Sequence, residues 1–402
     1  MKKILTRKNL CYFLFLFVVT LIALEIFGRV YLSKVLQKSS EQKFRFNSYR
    51  VYELVPGFHE GDGKKDWIII NRQGFRRAAD VTKEKQQDTF RVFLMGGSAA
   101  HGISSGAPYP LVHIYEDQTI DAYLERKLKQ LHPDHNIEII NAAVTGYQVF
   151  QHTTYILSEL LDYHPDMVIF FDGANDHWFN NPDFDYWAEN GYQFWKSRLQ
   201  TPSVGGWFDY FFLWSSRFSG FAKGYCMWRL HNDATRHEYD IRPAIKYSDS
   251  DRAIAAHKII ARKSFLRAIE TNIDILKTNN IQPVICLQPM LALRVSSMYS
   301  IQEKSWYEKK YLREDKDVGW QVLYPTVLKE LTDLTGQYQV PFVDMVIPFN
   351  DPAYKGKQLF IDWCHLSPLG AEVVADNLLP AVDSAWVKSF SDAQRDISRS
   401  LK

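Results

Sequence analysis

From residue 90 onward, short and continuously apolar runs alternate with longer stretches of helical spacing. This alternation constrains the fold more than any other feature of the chain. Phe90 to Met95, Ile137 to Ala143, Met167 to Phe171, Gln282 to Leu287 and Pro341 to Met345 read as strands. Thr119 to Leu131, Phe150 to Leu161, Ile254 to Lys277, Gln321 to Leu334 and Leu369 to Val387 read as helices. A strand apolar on both sides must be covered on both sides. Strand–helix–strand repeats meet that demand with a parallel sheet, and right-handed crossovers place helices above and below it. The pattern therefore predicts an α/β domain built on a central parallel sheet of five strands. The hydrophobic fraction, 46% of 402 residues, supplies enough apolar surface for such a core.

The N-terminus follows a different rule. Lys2, Lys3, Arg7 and Lys8 precede an almost wholly apolar run from Leu10 to Leu24, and after Glu25 the apolar character resumes toward Leu32. That length approaches the roughly 20 residues needed to cross a bilayer. The residues after the apolar core, Gly28-Arg29-Val30-Tyr31, make a poor small-x-small cleavage site. An uncleaved signal anchor is expected, with the basic end cytoplasmic and the rest of the chain on the far side of the inner membrane. Residues 1–32 are thus read as an anchor and 33–89 as a stalk and small extension, with one strand at Trp67 to Ile70. Residues 90–402 are read as the main domain.

One segment interrupts the alternation. Residues 178–251 are long and rich in aromatics, and a connection of that length is rarely structureless. It reads either as a cap beside the site or as a packed subdomain without a ligand role. The formal net charge of +2 gives no reason to expect a nucleic-acid partner. Cys11, Cys226, Cys286 and Cys364 lack metal-ligand spacing and do not suggest a disulfide framework.

Ligands of open parallel sheets bind beyond the carboxyl ends of the strands, and four blocks there carry polar residues. The first strand ends in Gly96-Gly97-Ser98, which can turn sharply and expose the Ser98 hydroxyl. The second ends in Asn141 to Tyr147, where Gly146 permits close approach of a backbone N–H. The third ends in Asp172-Gly173-Ala174-Asn175-Asp176, where the Asn175 amide can donate to a developing oxyanion. Late in the chain, Asp362-Trp363-Cys364-His365 places a carboxylate three residues from an imidazole, close enough to set its tautomer. Singly, each block is more readily an ordinary turn. His101 and His177 lie close in sequence to these blocks and are further candidates to line the pocket.

The order and context of the four blocks resemble the SGNH (GDSL-like) serine hydrolases, over roughly Phe90 to Leu379 with the insertion set aside. The resemblance implies a flavodoxin-like three-layer sandwich. It implies Ser98 as nucleophile, His365 as general base and Asp362 as its orienting acid. The Ser98 N–H, the Gly146 N–H and the Asn175 side chain would form the oxyanion hole. No metal or cofactor is implied. One position departs from the family's common Gly-Asp-Ser, because Gly97 stands where the Asp would be. That Asp is not a triad member, so the departure changes how the loop is held and leaves the triad whole.

The chemistry expected is ester hydrolysis or O-acyl transfer through an acyl-serine. The substrate would be an acyl ester, acetyl foremost, of a cell-envelope polysaccharide or lipid, and a membrane acyl-donor protein is a natural partner. A catalytically silent glycan-binding or scaffold component of an envelope assembly is the alternative.

Overall fold

The computed structural model describes residues 7–38, 43–105, 109–178, 265–308 and 314–400. It also describes 211–226 except 213 and 217, and single residues between 251 and 258. The chain divides into two compact units. One comprises Met1–Phe46 with Trp187–Arg242, the other Asn47–Tyr186 with Pro243–Lys402.

The larger unit is built on five parallel strands. A hairpin of β1 (His59–Gly61) and β2 (Asp66–Ile69) precedes them. The strands are β3 (Thr89–Gly96), β4 (Asn136–Asn141), β5 (Met167–Asp172), β6 (Gln282–Leu287) and β7 (Phe342–Asp344). Their spatial order is β4-β3-β5-β6-β7, the flavodoxin-like arrangement. Every residue of β3 and β5 is buried, which is why these strands read as unbroken apolar runs. In register, Val92 lies opposite both Ile139 and Met167, and Leu94 opposite Asn141 and Ile169.

Alternate residues serve opposite faces of the sheet. Val92, Leu94, Ile139, Ile169 and Val284 pack with Leu124 and Leu128 of α3 (Ile120–Leu131) and with Val373, Leu378 and Val382 of α10 (Pro368–Ser400). On the other face Phe170 and Ile285 close a small apolar space with Val149, Phe265, Ile269 and Leu331. These four come from α4 (Val149–Ser158), from the start of α6 (Leu266–Thr278) and from α8 (Glu314–Tyr338). The remaining helices are α1 (Arg7–Lys38), α2 (Ser98–His101), α5 (Ala174–Trp178), α7 (Ile301–Glu308) and α9 (Val346–Phe349). The helix expected over 254–277 is described continuously only from residue 265. Those expected at 321–334 and 369–387 run longer, through Pro325 and Pro380.

Of the segment read as a stalk and small extension, the part from residue 50 onward packs within the larger unit. Tyr52, Ile70 and Phe75 have no solvent exposure. The Arg50 guanidinium lies 3.8 Å from the centre of the Tyr155 ring and pairs with Glu53 and Glu159 at 2.6 and 2.7 Å. The Arg76 N–H donates to the Asn141 carbonyl at the end of β4. Charges that read as solvated in sequence, such as Arg50, are here paired inside the unit, while residues such as 61–65 remain exposed.

In the smaller unit, α1 holds an apolar stretch, Cys11–Tyr31, long enough to cross a membrane and almost wholly unburied. The described part of the aromatic insertion, 211–226, packs on this helix within the same unit. Within this unit the structural partner of that part is therefore α1; the rest of the insertion, read from sequence as a cap or a packed subdomain, lies outside the described residues.

Candidate active site

Four strand-end segments of the larger unit converge at the carboxyl edge of the sheet. Ser98 opens α2 immediately after β3. Its N–H, at the first position of a helix, has no intrahelical acceptor. The turn is held from behind. Asn141 Nδ2 donates to the Ala100 carbonyl at 2.9 Å and to Asp121 Oδ1 at 2.7 Å. The Asp121 carboxyl is pushed up to about 6 by burial, against the Asn141 bond that favours its charged form. His101 is fully buried with Nδ1 3.0 Å from the Ala143 carbonyl. It ties α2 to the segment after β4. The side chain of His177 lies outside the described residues.

His365 Nε2 lies 2.7 Å from Ser98 Oγ, and His365 Nδ1 lies 2.5 Å from Asp362 Oδ2. The other Asp362 oxygen accepts from the N–H groups of Cys364 and His365 at 2.9 and 2.8 Å. Burial pushes the Asp362 carboxyl up, but His365 beside it and these N–H donors outweigh burial and hold it below the usual carboxylate range. An anionic Asp362 fixes the imidazole with its proton on Nδ1 and its lone pair toward Ser98. Three residues of spacing suffice because the segment folds on itself. Phe360 bridges Leu366, and the Ile361 N–H donates to the His365 carbonyl at 2.9 Å.

That loop is anchored by a buried ion pair that sequence reading missed. Glu303 has no solvent exposure and pairs with Arg294 at 2.5 Å. Its Oε1 accepts from the N–H groups of Leu359 and Phe360 at 2.9 and 3.0 Å. No local motif signals this role, since Arg294 and Glu303 read as ordinary surface charges between β6 and α8.

The remaining two blocks meet at Tyr147. Asn175 Nδ2 donates to the Tyr147 carbonyl at 2.8 Å, and Gln148 Nε2 donates to the Asn175 carbonyl at 2.9 Å. A primary amide has two N–H bonds, so the other can face an oxyanion beside Ser98. A Cβ built on Gly97 would lie 2.2 Å from Asn175 Nδ2. Gly97 itself adopts φ −88° and ψ −150°, an ordinary extended conformation. It is therefore glycine for space and not for backbone freedom. Any side chain at 97 would collide with the amide of Asn175 as it is placed here.

Gly146 stands in the turn between Val144 and Tyr147 with φ +82°. The turn's hydrogen bond uses the Tyr147 N–H, donated to the Val144 carbonyl at 3.0 Å. Asp176, quoted from sequence only as a turn residue, has a structural task. It is buried, and its Oδ1 accepts from the Val149 N–H at the start of α4, next to Tyr147. Burial, and then the nearby Asp172, push its carboxyl well above the usual range.

Asp362, Cys364 and His365 have potential ligand atoms within 4.8 Å of one another. Both imidazole nitrogens and both Asp362 oxygens are already engaged by the bonds above. Hydrogen bonding within the triad thus uses the donor set a metal would need.

A serine, imidazole and carboxylate in line are the arrangement used for acyl transfer through an acyl-serine. Together with the 2-1-3-4-5 sheet, this arrangement is similar to that of the SGNH (GDSL-like) hydrolases, the family the sequence resembles. No family model matches the sequence, and no curated protein matches it. Solved structures similar to the chain include an acetyl xylan esterase at 16% identity and a TM-score of 0.38, spanning 73% of this chain and 100% of that one. They also include a GDSL-like lipase from Bacteroides thetaiotaomicron VPI-5482, at 12% identity and 0.36, spanning 76% and 93%. A third is an acetylxylan esterase from Geobacillus stearothermophilus, at 12% and 0.39, spanning 73% and 94%.

Proposed function

We propose that the chain is a membrane-anchored serine esterase or O-acyltransferase that works through an acyl-serine on Ser98. The observation that carries this reading is the continuous line from Ser98 Oγ through His365 to Asp362, at 2.7 and 2.5 Å. His365 takes the Ser98 proton as Oγ attacks the ester carbonyl. The oxyanion is received by the Ser98 and Gly146 N–H groups and the Asn175 amide. His365 then returns the proton to the leaving oxygen. Water or a second hydroxyl next attacks the acyl-serine, and which one arrives decides between hydrolysis and transfer.

Anchoring through α1 is supported by its apolar stretch and by the use of its C-terminal end in folding. Glu25 accepts from Ser219 and Gly220 at 2.8 Å, and this use of the helix by the smaller unit supports its retention as an anchor. The basic residues ahead of the stretch support an extracytoplasmic catalytic unit. That location makes an acyl ester of an envelope polysaccharide or lipid the substrate class, with a membrane acyl-donor protein as partner if the reaction is transfer.

The test uses full-length protein in detergent. Wild type should hydrolyse p-nitrophenyl acetate and be labelled by a fluorophosphonate, and Ser98→Ala should do neither. Labelling that persists in Ser98→Ala would refute the nucleophile.

A further inference from the structure

We infer that residues 211–226 form a membrane-interfacial element docked on α1, with Phe211, Trp214 and Phe218 seated in a lipid bilayer. The inference rests on reading α1 as a membrane span and assigns a role to the described part of the insertion.

The docking is specific. Residues 220–226 are helical, and their N-terminal turn meets Glu25 of α1. The Glu25 carboxylate accepts from Ser219 Oγ at 2.8 Å, Gly220 N–H at 2.8 Å and Phe221 N–H at 3.2 Å. It also pairs with Arg29 Nε at 2.8 Å. A carboxylate in an otherwise apolar stretch is expensive unless paired. Here it is paired by the free N–H groups of a helix start, which favour an anion.

One turn further along α1, the two backbones touch. A Cβ built on Gly28 would lie 2.3 Å from the Phe221 Cα, and one on Gly220 would lie 2.5 Å from the Arg29 Cγ. Gly224, four residues after Gly220, lies against Gly28 and Tyr31. Small residues spaced in this way let helices approach closely within membranes, where no hydrophobic force drives them together.

The opposite side of this element is aromatic and open. Phe211, Trp214 and Phe218 are 50, 50 and 60% exposed. Their rings associate with one another, with centroids 6.3 Å apart for Phe211–Trp214 and 4.9 Å for Trp214–Phe218, and Phe211 also meets the neighbouring Phe212 at 5.9 Å. At the same level of α1, Ile26, Phe27 and Val30 are also exposed. The open aromatic side thus continues the apolar flank of the span at its C-terminal end. Exposed Arg29 and Lys223 stand among these residues. Tryptophan and tyrosine with basic residues at the end of an apolar span mark the membrane–water boundary, and the occupant that fits this surface is lipid.

The experiment places nitroxide labels on full-length protein in phospholipid nanodiscs. The native cysteines are replaced, and single cysteines are introduced as Phe211→Cys, Trp214→Cys and Phe218→Cys. Val19→Cys and Tyr49→Cys serve as references. Relaxation by oxygen and by a water-soluble nickel chelate is compared at each site. Labels at 211, 214 and 218 should collide with oxygen severalfold more than with nickel, as at Val19, while Tyr49 shows the reverse. Gly28→Leu, which separates the two backbones, should shift labels 214 and 218 severalfold toward nickel.

A lipid-like Val19 with nickel-accessible 214 and 218 overturns this inference and leaves the anchor standing. Nickel access at Val19 removes the anchor itself, and the inference with it. Labels shielded from both reagents mean that protein covers the surface, which also overturns it. If the cysteine variants fail to accumulate, Trp214→benzoylphenylalanine in the otherwise wild-type chain gives the same decision. Photo-crosslinks to phospholipid support the inference, and crosslinks to protein alone overturn it.

Discussion

Adding one methyl group at residue 97 should disable the oxyanion hole while leaving the triad intact. The Cβ of Gly97→Ala would sit 2.2 Å from Asn175 Nδ2 and 3.3 Å from Asn175 Cγ. Non-bonded heavy atoms settle near about 3.5 Å, so the amide must retreat by about 1 Å. It cannot do so without loss, because Nδ2 is held at 2.8 Å by the Tyr147 carbonyl and the Asn175 backbone by Gln148. The backbone at 97 is already extended and accepts alanine without strain, so the collision is the whole perturbation. A displacement of about 1 Å at a catalytic group can cost about 10²-fold, and loss of one oxyanion donor about 10²–10³-fold, or about 3–4 kcal/mol. Steady-state hydrolysis of p-nitrophenyl acetate should therefore show kcat lowered by that factor in Gly97→Ala, with KM little changed. Asn175→Ala should lose a similar amount. The double variant should match Asn175→Ala within about twofold, because the methyl then has nothing to displace. Activity of Gly97→Ala close to wild type, or losses that multiply in the double variant, would refute the steric account.

Asp362→Asn should lower kcat by about 10⁴-fold, because the imidazole loses the anion that sets its tautomer; a loss below about tenfold in the same assay would argue against the triad. Glu303→Gln should destabilise the larger unit by about 3–5 kcal/mol, since Arg294 is left as a buried unpaired charge. Its denaturant midpoint should fall, and a midpoint unchanged from wild type would show that the pair does not anchor the loop. Asp121 is held near 6 in the folded chain against an ordinary value of 3.8. The folded state therefore binds the extra proton between about pH 4 and 6, and stability should fall as pH rises through that window and level off above it. The effect should be on the order of 2–3 kcal/mol at most. Asp121→Asn should flatten this slope in unfolding curves, and equal slopes in the two proteins would rule the assignment out.

The parallel sheet was legible in the sequence because burial on both faces leaves strands no polar positions. β3 and β5 appear in the chain as the apolar runs they are in the fold. The candidate triad could be named from sequence for a related reason. Catalytic groups sit where strands end, and Ser98, Asn175 and the Asp362–His365 pair each follow a strand or close a turn in a fixed order. Their meeting was not legible. Ser98 and His365 are 267 residues apart and come within 2.7 Å only through the sheet order.

What supports the site was hidden for the same reason. Glu303 holds the loop of Asp362 and His365 through backbone N–H groups, and a backbone contact leaves no mark on the identity of its partner. Arg50 looked like a solvated linker charge until Tyr155, Glu53 and Glu159 enclosed it. Glu25 looked like a flaw in an apolar helix until Ser219 and Gly220 arrived from a segment 194 residues away. The sequence by itself determined the layers and the candidate catalytic residues, because periodicity and residue type are local properties. Tertiary structure decided why residue 97 is glycine and what the insertion packs on, because both depend on atoms that only folding brings together.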